Sequence, residues 1–222
     1  MRRLDDRVAI ITGAANGIGR AIAERMAGEG ASVVLADVDA AGGAVAAAIE
    51  GGGGRALFVA TDVTRDDDLR RMIDAALARF GRLDVLVNNA GIGTYVPFAS
   101  LAPETWDRIH AVNVRAVYRS CQLALPALIA RRGVVLLTRS LARELGPQGI
   151  RVNCVCPGGV DTQMLAGFLE VLGVTPAQVA QQVPLRRIAA PGEVAAVVAF
   201  LASDEASYVT GAALPVDGGA TA

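Results

Sequence analysis

The chain has 222 residues, a formal net charge of -1 and a hydrophobic fraction of 53%. All 21 basic residues are Arg and none is Lys, which excludes Schiff bases, a phosphate-loop lysine and a lysine-tuned general acid. Near-neutral charge and a pI of about 5.9 give no electrostatic footprint for nucleic acid or an anionic membrane.

Short apolar runs alternate with helical patterns from the start. Val8 to Thr12 reads as a buried strand, Gly17 to Gly28 as a helix and Ser32 to Ala36 as the next strand. An Ala-rich helix, a Gly51–Gly54 turn and a third strand over Ala56 to Ala60 follow. Thr64 is placed to cap a helix whose first turn carries Asp66–Asp68, where carboxylates suit the helix dipole. Leu83 to Val87 is a fourth strand. Pro103 to Arg132 is a long helical stretch softened by Pro126, and Val134 to Leu145 is another, ended by Gly146-Pro147. Arg151 to Val155 is a strand, 163–183 an apolar helical flap, Glu193 to Ala202 a helix, and Leu214 to Val216 a short last strand. Uncharged strands joined by helices predict the α/β class, with a single doubly wound parallel sheet flanked by helices on both faces. No linker divides the chain, so one Rossmann-type domain over 1–222 is expected, with a cofactor half over about 1–100 and an active-site, lid and C-terminal half over about 101–222.

The first strand runs into Thr12-Gly13-Ala14-Ala15-Asn16-Gly17-Ile18-Gly19. Glycines here let the backbone turn sharply and approach a pyrophosphate, while the next helix aims its free N–H groups at the phosphates. Asp37, eighteen residues after Gly19, ends the second strand, where a carboxylate holds ribose hydroxyls. It would repel a 2′-phosphate, and no basic residue stands at 14–16 or 38 to attract one; NAD is therefore the expected cofactor.

These motifs resemble the short-chain dehydrogenase/reductase family, and the likeness covers nearly the whole chain. The turn TGAANGIG matches that family's cofactor turn, which assigns Gly13, Asn16, Gly17, Ile18 and Gly19 to it. The resemblance implies an adenine contact at Asp62 and Val63. It also implies a sheet-stabilising, cofactor-adjacent Asn88-Asn89-Ala90-Gly91. Asn113 matches the active-site Asn that helps hold a water in a proton relay. Pro157-Gly158-Gly159-Val160-Asp161-Thr162 is similar to the segment whose Val and Thr meet the nicotinamide end, and Asp217-Gly218-Gly219 matches the C-terminal signature. The implied activity is hydride transfer between NAD and a secondary alcohol or ketone, with an apolar small-molecule substrate. The resemblance further implies a homotetramer built partly on the long helices around position 132. A cytoplasmic location and no metal are expected.

One part of the family pattern is missing. The family uses Ser and a Tyr-x-x-x-Lys pair, but four residues beyond Tyr95, Tyr118 and Tyr208 stand Ala99, Gln122 and Ala212. Gly133 to Thr138 looks like the family's text just after that Lys, which places the gap between Arg132 and Gly133. A strand, the Ser, a loop and the Tyr-Lys pair need on the order of 25–30 residues. Returning along a helix of about 13 residues covers roughly 20 Å, whereas one peptide link spans about 3.8 Å. A direct join is thus expected to leave interior strand neighbours unpaired. Either the segment belongs to the protein and is absent from this sequence, or the deletion is real and the chain is a non-catalytic dinucleotide-binding protein.

Other residues have plainer readings. His110, the single His, excludes a His triad and a multi-His metal site and is expected to cap or pack on its helix. Cys154 and Cys156 would share a strand face and pack in the core. Met164, Leu165, Phe168, Leu169 and Leu172 have the spacing of a core face or of a lid over an apolar substrate. The 134–145 stretch suits either an interface or the core.

Overall fold

A computed structural model describes residues 2–130, 134–135 and 139–222. The expected interruption at Arg132–Gly133 lies outside the described residues. Strand β1 (Val8–Thr12) is followed by α1 (Gly17–Gly28), β2 (Ser32–Asp37), α2 (Ala41–Gly51), β3 (Arg55–Ala60), α3 (Asp66–Phe80) and β4 (Val85–Val87). Helix α4 (Pro103–His110) passes through a π-helical turn (Ala111–Arg115) into α5 (Ala116–Ile129). Then come β5 (Val134–Val135), α6 (Arg139–Leu145), β6 (Arg151–Val152) and β7 (Cys154–Pro157). Helices α7 (Gln163–Leu172), α8 (Pro176–Gln182) and α9 (Pro191–Ala202) precede the last strand, β8 (Ala213–Val216).

The strands form a parallel sheet in the order β3-β2-β1-β4-β5-β6, with β7 and β8 paired beside it. All five residues of β1 are buried because helices cover both faces of the sheet. Strand alternation sends Ala9 and Ile11 to one side, with Val33, Leu35, Met26 and Val198. Val8 and Ile10 turn to the other, with Val34, Leu86, Met72 and Leu128. Both core layers therefore follow from the period-2 geometry of uncharged strands. No helix among the described residues is long and apolar enough to cross a membrane.

The structure departs from the sequence reading in three places. Val134 and Val135 are not helical; they pair with Val85 and Leu86 on one side and with Arg151 and Val152 on the other. Two β-branched residues thus occupy the interior slot that was expected to be empty, and the helix begins at Arg139. Ala142 and Leu145 are buried, so this part of the 134–145 stretch belongs to the core. Thr64 does not cap α3: its hydroxyl bonds the Asp62 carboxylate at 2.7 Å and Arg65 takes the N-cap position. An acceptor two residues upstream competes with capping. The 163–183 flap is two helices, divided where Gly173 adopts φ +64°.

The junction between β6 and β7 is held by buried Asn153, whose amide donates to Val209 O at 3.0 Å and accepts from Ala212 N at 3.1 Å. Leu86 lies at the centre of the sheet with no exposure. Leu86→Ala is expected to lower unfolding free energy by about 2–5 kcal/mol. A urea melt should show the midpoint fall with the slope unchanged.

Candidate functional site

Where the strand order reverses, β1 and β4 lie side by side and their following loops diverge, which opens a crevice beyond their C-terminal ends. The structure has there a cleft of about 710 Å³. Of the expected site residues it brings together Gly13, Asn16, Gly17, Ile18, Gly19, Asp37, Asp62, Val63, Asn89, Ala90, Gly91, Asn113 and Thr162. Pro157, Gly158 and Val160 do not line it. Gly158 packs against Asp217, and Val160 is buried and bridged to Ala189.

The glycine turn owes its shape to close packing. Gly13 and Gly17 adopt φ +65° and +54°. A Cβ on Gly13 would stand 2.8 Å from the Ala90 Cα, so the turn touches the loop after β4 directly. Asn89 ties the two together: its amide donates to Thr12 O at 2.9 Å and Gly13 O at 3.1 Å. The Thr12 hydroxyl accepts from the backbone N–H groups of Asn89 and Ala90, each at 3.0 Å.

On one rim the Asp37 carboxylate accepts Ala15 N–H at 2.8 Å and Asp39 N–H at 2.9 Å. Asp62 accepts the backbone and hydroxyl of Thr64, and its own N–H donates to Asp68 at 2.9 Å. That backbone bond, with Arg71 and Arg65 nearby, holds the Asp68 carboxyl below its usual range against the opposing effect of burial. On the other side, Asn113 sits on the π turn and makes a reciprocal pair with Ile92. It accepts Ile92 N–H at 2.9 Å and donates to Ile92 O at 2.8 Å. Thr162 caps α7 by accepting Leu165 N–H at 3.3 Å.

Sequence reading missed Val38, Thr61, Ile92, Arg108 and Val112 in the lining. Arg108 lies five residues before Asn113 and Val112 adjoins it; ordinary i, i+4 spacing would have pointed to Ile109, and the π turn is what the sequence did not signal. Met164 lines the cleft, whereas Phe168 sits over Gly93 with its ring 5.6 Å from that of Tyr95. Leu169 is buried and Leu172 exposed, so α7 combines a cleft-lining residue with a core residue. Among the described residues none of the three tyrosines lines the cleft. His110 stacks on Trp106 at 4.0 Å, and its Nδ1 is 2.9 Å from Trp106 O.

Residues 7–136 match the family model described as short chain dehydrogenase, and residues 128–221 match the one described as enoyl-(acyl carrier protein) reductase. A cis-4-hydroxycyclohexanecarboxylate dehydrogenase of Sinomonas cyclohexanicum is 41% identical over 245 residues, covering 98% of this chain and 97% of the relative. The meso-2,3-butanediol dehydrogenase of Serratia marcescens is 38% identical over 247 residues, covering 99% and 96%. Among solved structures, a 7α-hydroxysteroid dehydrogenase complexed with NADH and 7-oxo glycochenodeoxycholic acid superposes with a TM-score of 0.91 at 35% identity, covering 98% of this chain and 95% of that one. A 3-ketoacyl-(acyl-carrier-protein) reductase from Brucella melitensis complexed with NADH gives 0.88 at 34% identity, covering 99% and 100%.

Gly13→Ala forces a side chain onto φ +65° and into the Ala90 backbone, and is expected to cost about 1–3 kcal/mol. Gly91→Ala, whose Cβ would come no nearer than 3.6 Å to Asn113 Oδ1, serves as the contrast and should leave stability nearly unchanged. Thermal melts of the two variants check this, with a fall of about 2–4 °C per kcal/mol for a chain of this size.

Proposed function

The chain belongs to the short-chain dehydrogenase family, and we propose that it is an NAD-dependent oxidoreductase passing hydride between the nicotinamide and a secondary alcohol or ketone. The observation that carries the reading is Asp37 on the rim of a cleft whose floor is the glycine turn. The residues present fit a dinucleotide. Gly13 and Gly17 bring backbone close to a pyrophosphate, Asn16 to Gly19 open α1 toward it, and Asp37 keeps acceptor capacity for ribose hydroxyls. The hydrogen bonds from Ala15 and Asp39 fix that carboxylate in place before a ligand arrives. Its charge disfavours a 2′-phosphate, and Arg108 is the one basic residue among the described cleft-lining residues.

Asp62 and Val63 form the wall for the adenine, and Ala90 and Gly91 flank the sugar. Thr162 meets the nicotinamide end, and Pro157, Gly158 and Val160, which lie outside the cleft lining, carry the chain to it. The bound dinucleotide supplies the hydride acceptor or donor. Asn113 holds a relay water, Met164 covers an apolar substrate, and the fixed cofactor face makes transfer stereospecific. Three relatives at 38–41% identity are named as dehydrogenases of small hydroxy compounds, which favours such substrates, while another at 38% is named for 4-formylbenzenesulfonate. A homotetramer would use the exposed residues Trp106 on α4, Val114 on the π turn and Tyr118 on α5.

The proton donor is then the Tyr of a segment that this sequence lacks, placed between Arg132 and Gly133. Supporting this, the 245 residues of the Sinomonas match exceed the 222 of this chain, so the relative has positions without a counterpart here. The intact mass of the expressed gene product tests it. A value heavier than 22.8 kDa by about 25–30 residues is expected, and 22.8 kDa itself would overturn it.

Cofactor choice is tested by fluorescence titration with NADH and NADPH. NADH should bind tighter, and Asp37→Ala should weaken NADH by roughly tenfold, as for one lost charge-assisted hydrogen bond. Equal binding of both cofactors by the unaltered protein would contradict the NAD assignment.

A further inference from the structure

Arg108 lines the cleft, and neither the glycine turn nor the Asp37 rim accounts for it. Its side chain is exposed, and among the described residues it forms no ion pair. Two arginines farther along the same helical run are engaged. Arg115 donates to Thr64 O at 3.0 Å, and Arg119 donates to the Asp66 carboxylate at 3.0 Å. We propose that Arg108 is a binding residue for the base of the dinucleotide, with its planar guanidinium laid on the open face of the adenine. The proposal deepens the dinucleotide reading above and rests on it.

The apolar part of the lining locates the base. Val63 is buried after β3, Val112 is half-buried on the π turn, and the two border one small cavity beside Thr12 and Ala90. Both also pack on the core layer that holds Val34, Leu86 and Met72. Val38, next to Asp37, adds a third aliphatic side chain to the lining and is 74% exposed. An apolar ring seated against these valines takes their surface out of water.

No aromatic residue is among the described cleft-lining residues, so the base has aliphatic walls and no ring to stack on. Arg108 supplies the planar partner. A guanidinium is flat and delocalised, stays charged at any working pH, and is attracted to the face of a π system more strongly as water leaves. Lys would bring a compact, strongly hydrated charge with no plane.

The helix geometry brings the group to the right level. Arg108 stands four residues before Val112, so its Cα lies about 6 Å farther toward the start of the run. Helical side chains lean toward the N-terminus, so the guanidinium projects beyond the Val63–Val112 wall and does not fill the slot itself. It then meets the outer face of a base whose inner face rests on that wall. Every residue in this arrangement lies between Val38 and Val112, on the side of the cleft bounded by the loops after β2 and β3 and by the π turn. Asp37 remains the ribose anchor, so sugar and base are held by different side chains.

The test titrates the full chain with NADH by fluorescence. Arg108→Ala should raise the Kd about fivefold. Arg108→Lys, which keeps the charge but not the plane, should raise it nearly as far. Etheno-NAD, whose adenine ring is made fluorescent, reports on the base directly. Neutral acrylamide should quench the bound probe more strongly in both variants than in the unaltered protein. Affinity restored in full by Lys, or quenching that stays the same in all three proteins, overturns the proposal and assigns Arg108 to the phosphates. A Kd for NADH that neither variant changes overturns it as well, and so does a loss seen with NADPH alone. Failure of the unaltered protein to bind NADH overturns the dinucleotide reading, a result distinct from normal binding that ignores the substitutions.

Discussion

The contact between Thr12 and Asn89 fixes the geometry on which the site depends. The Thr12 hydroxyl is buried; it accepts two backbone N–H groups from the loop after β4 and lies 3.4 Å from Val87 O, to which it donates. All of its hydrogen-bonding capacity is then used. The Asn89 amide spends both protons on carbonyls of the glycine turn. Two loops that leave adjacent strands in different directions are thereby held at fixed separation, and the cleft between them keeps one shape. The opposite end of the same strand pair is pinned as well. Asp84, buried just before β4, accepts Val8 N–H at 2.9 Å and two donors of Arg82 at 2.8 and 2.6 Å. A charge at that depth is tolerated because each carboxylate oxygen has a partner.

This double pinning helps explain why Asp37, on a strand, and Asn113, on a helical turn, face one cavity. Asp37 is carried by β2, which is in register with β1 from Val8↔Ser32 to Thr12↔Ala36. Asn113 reaches the other side because the π turn inserts an extra residue into the helix, and its amide closes on the Ile92 backbone. An ordinary i, i+4 turn would advance this side chain to a different angle around the helix axis. A slip of β2 by one residue would instead turn Asp37 to the other face of the sheet.

The first half of the fold was legible because its strands are short, uncharged and buried on both faces, so β1 to β4 and the helices between them follow from periodicity. Glycine turn and Asp37 were legible because each has a backbone or charge requirement that few residue types meet, whereas Asn113 came from the family resemblance alone. The second half was harder for specific reasons. Val134 and Val135 carry no pattern that separates a two-residue strand from a helix start, and only their neighbours decide. Cys154 and Cys156 alternate as a buried strand would, but their exposure depends on which elements lie against β7. In the first half, local competition decided Thr64: a carboxylate two residues upstream took the hydroxyl from the helix end.

The two sides of the cleft differ in what their chemistry can do. The Asp37 side is complete, with glycines, carboxylate and supporting N–H groups in place. On the Asn113 side, Thr162 and Met164 are the neighbours, and none of these titrates near neutral pH. Nearby candidates do not help. Cys121 lies beneath the Asn88 amide, and burial pushes its thiol up to about 11, too high to exchange a proton at pH 7. His110 is stacked on Trp106 and lies outside the cleft lining. The absence of Lys first marks the chain by composition alone, and in the folded chain it coincides with the absence of any described acid or base beside Asn113. The residues that shape the cleft are locked to one another through Thr12 and Asn89.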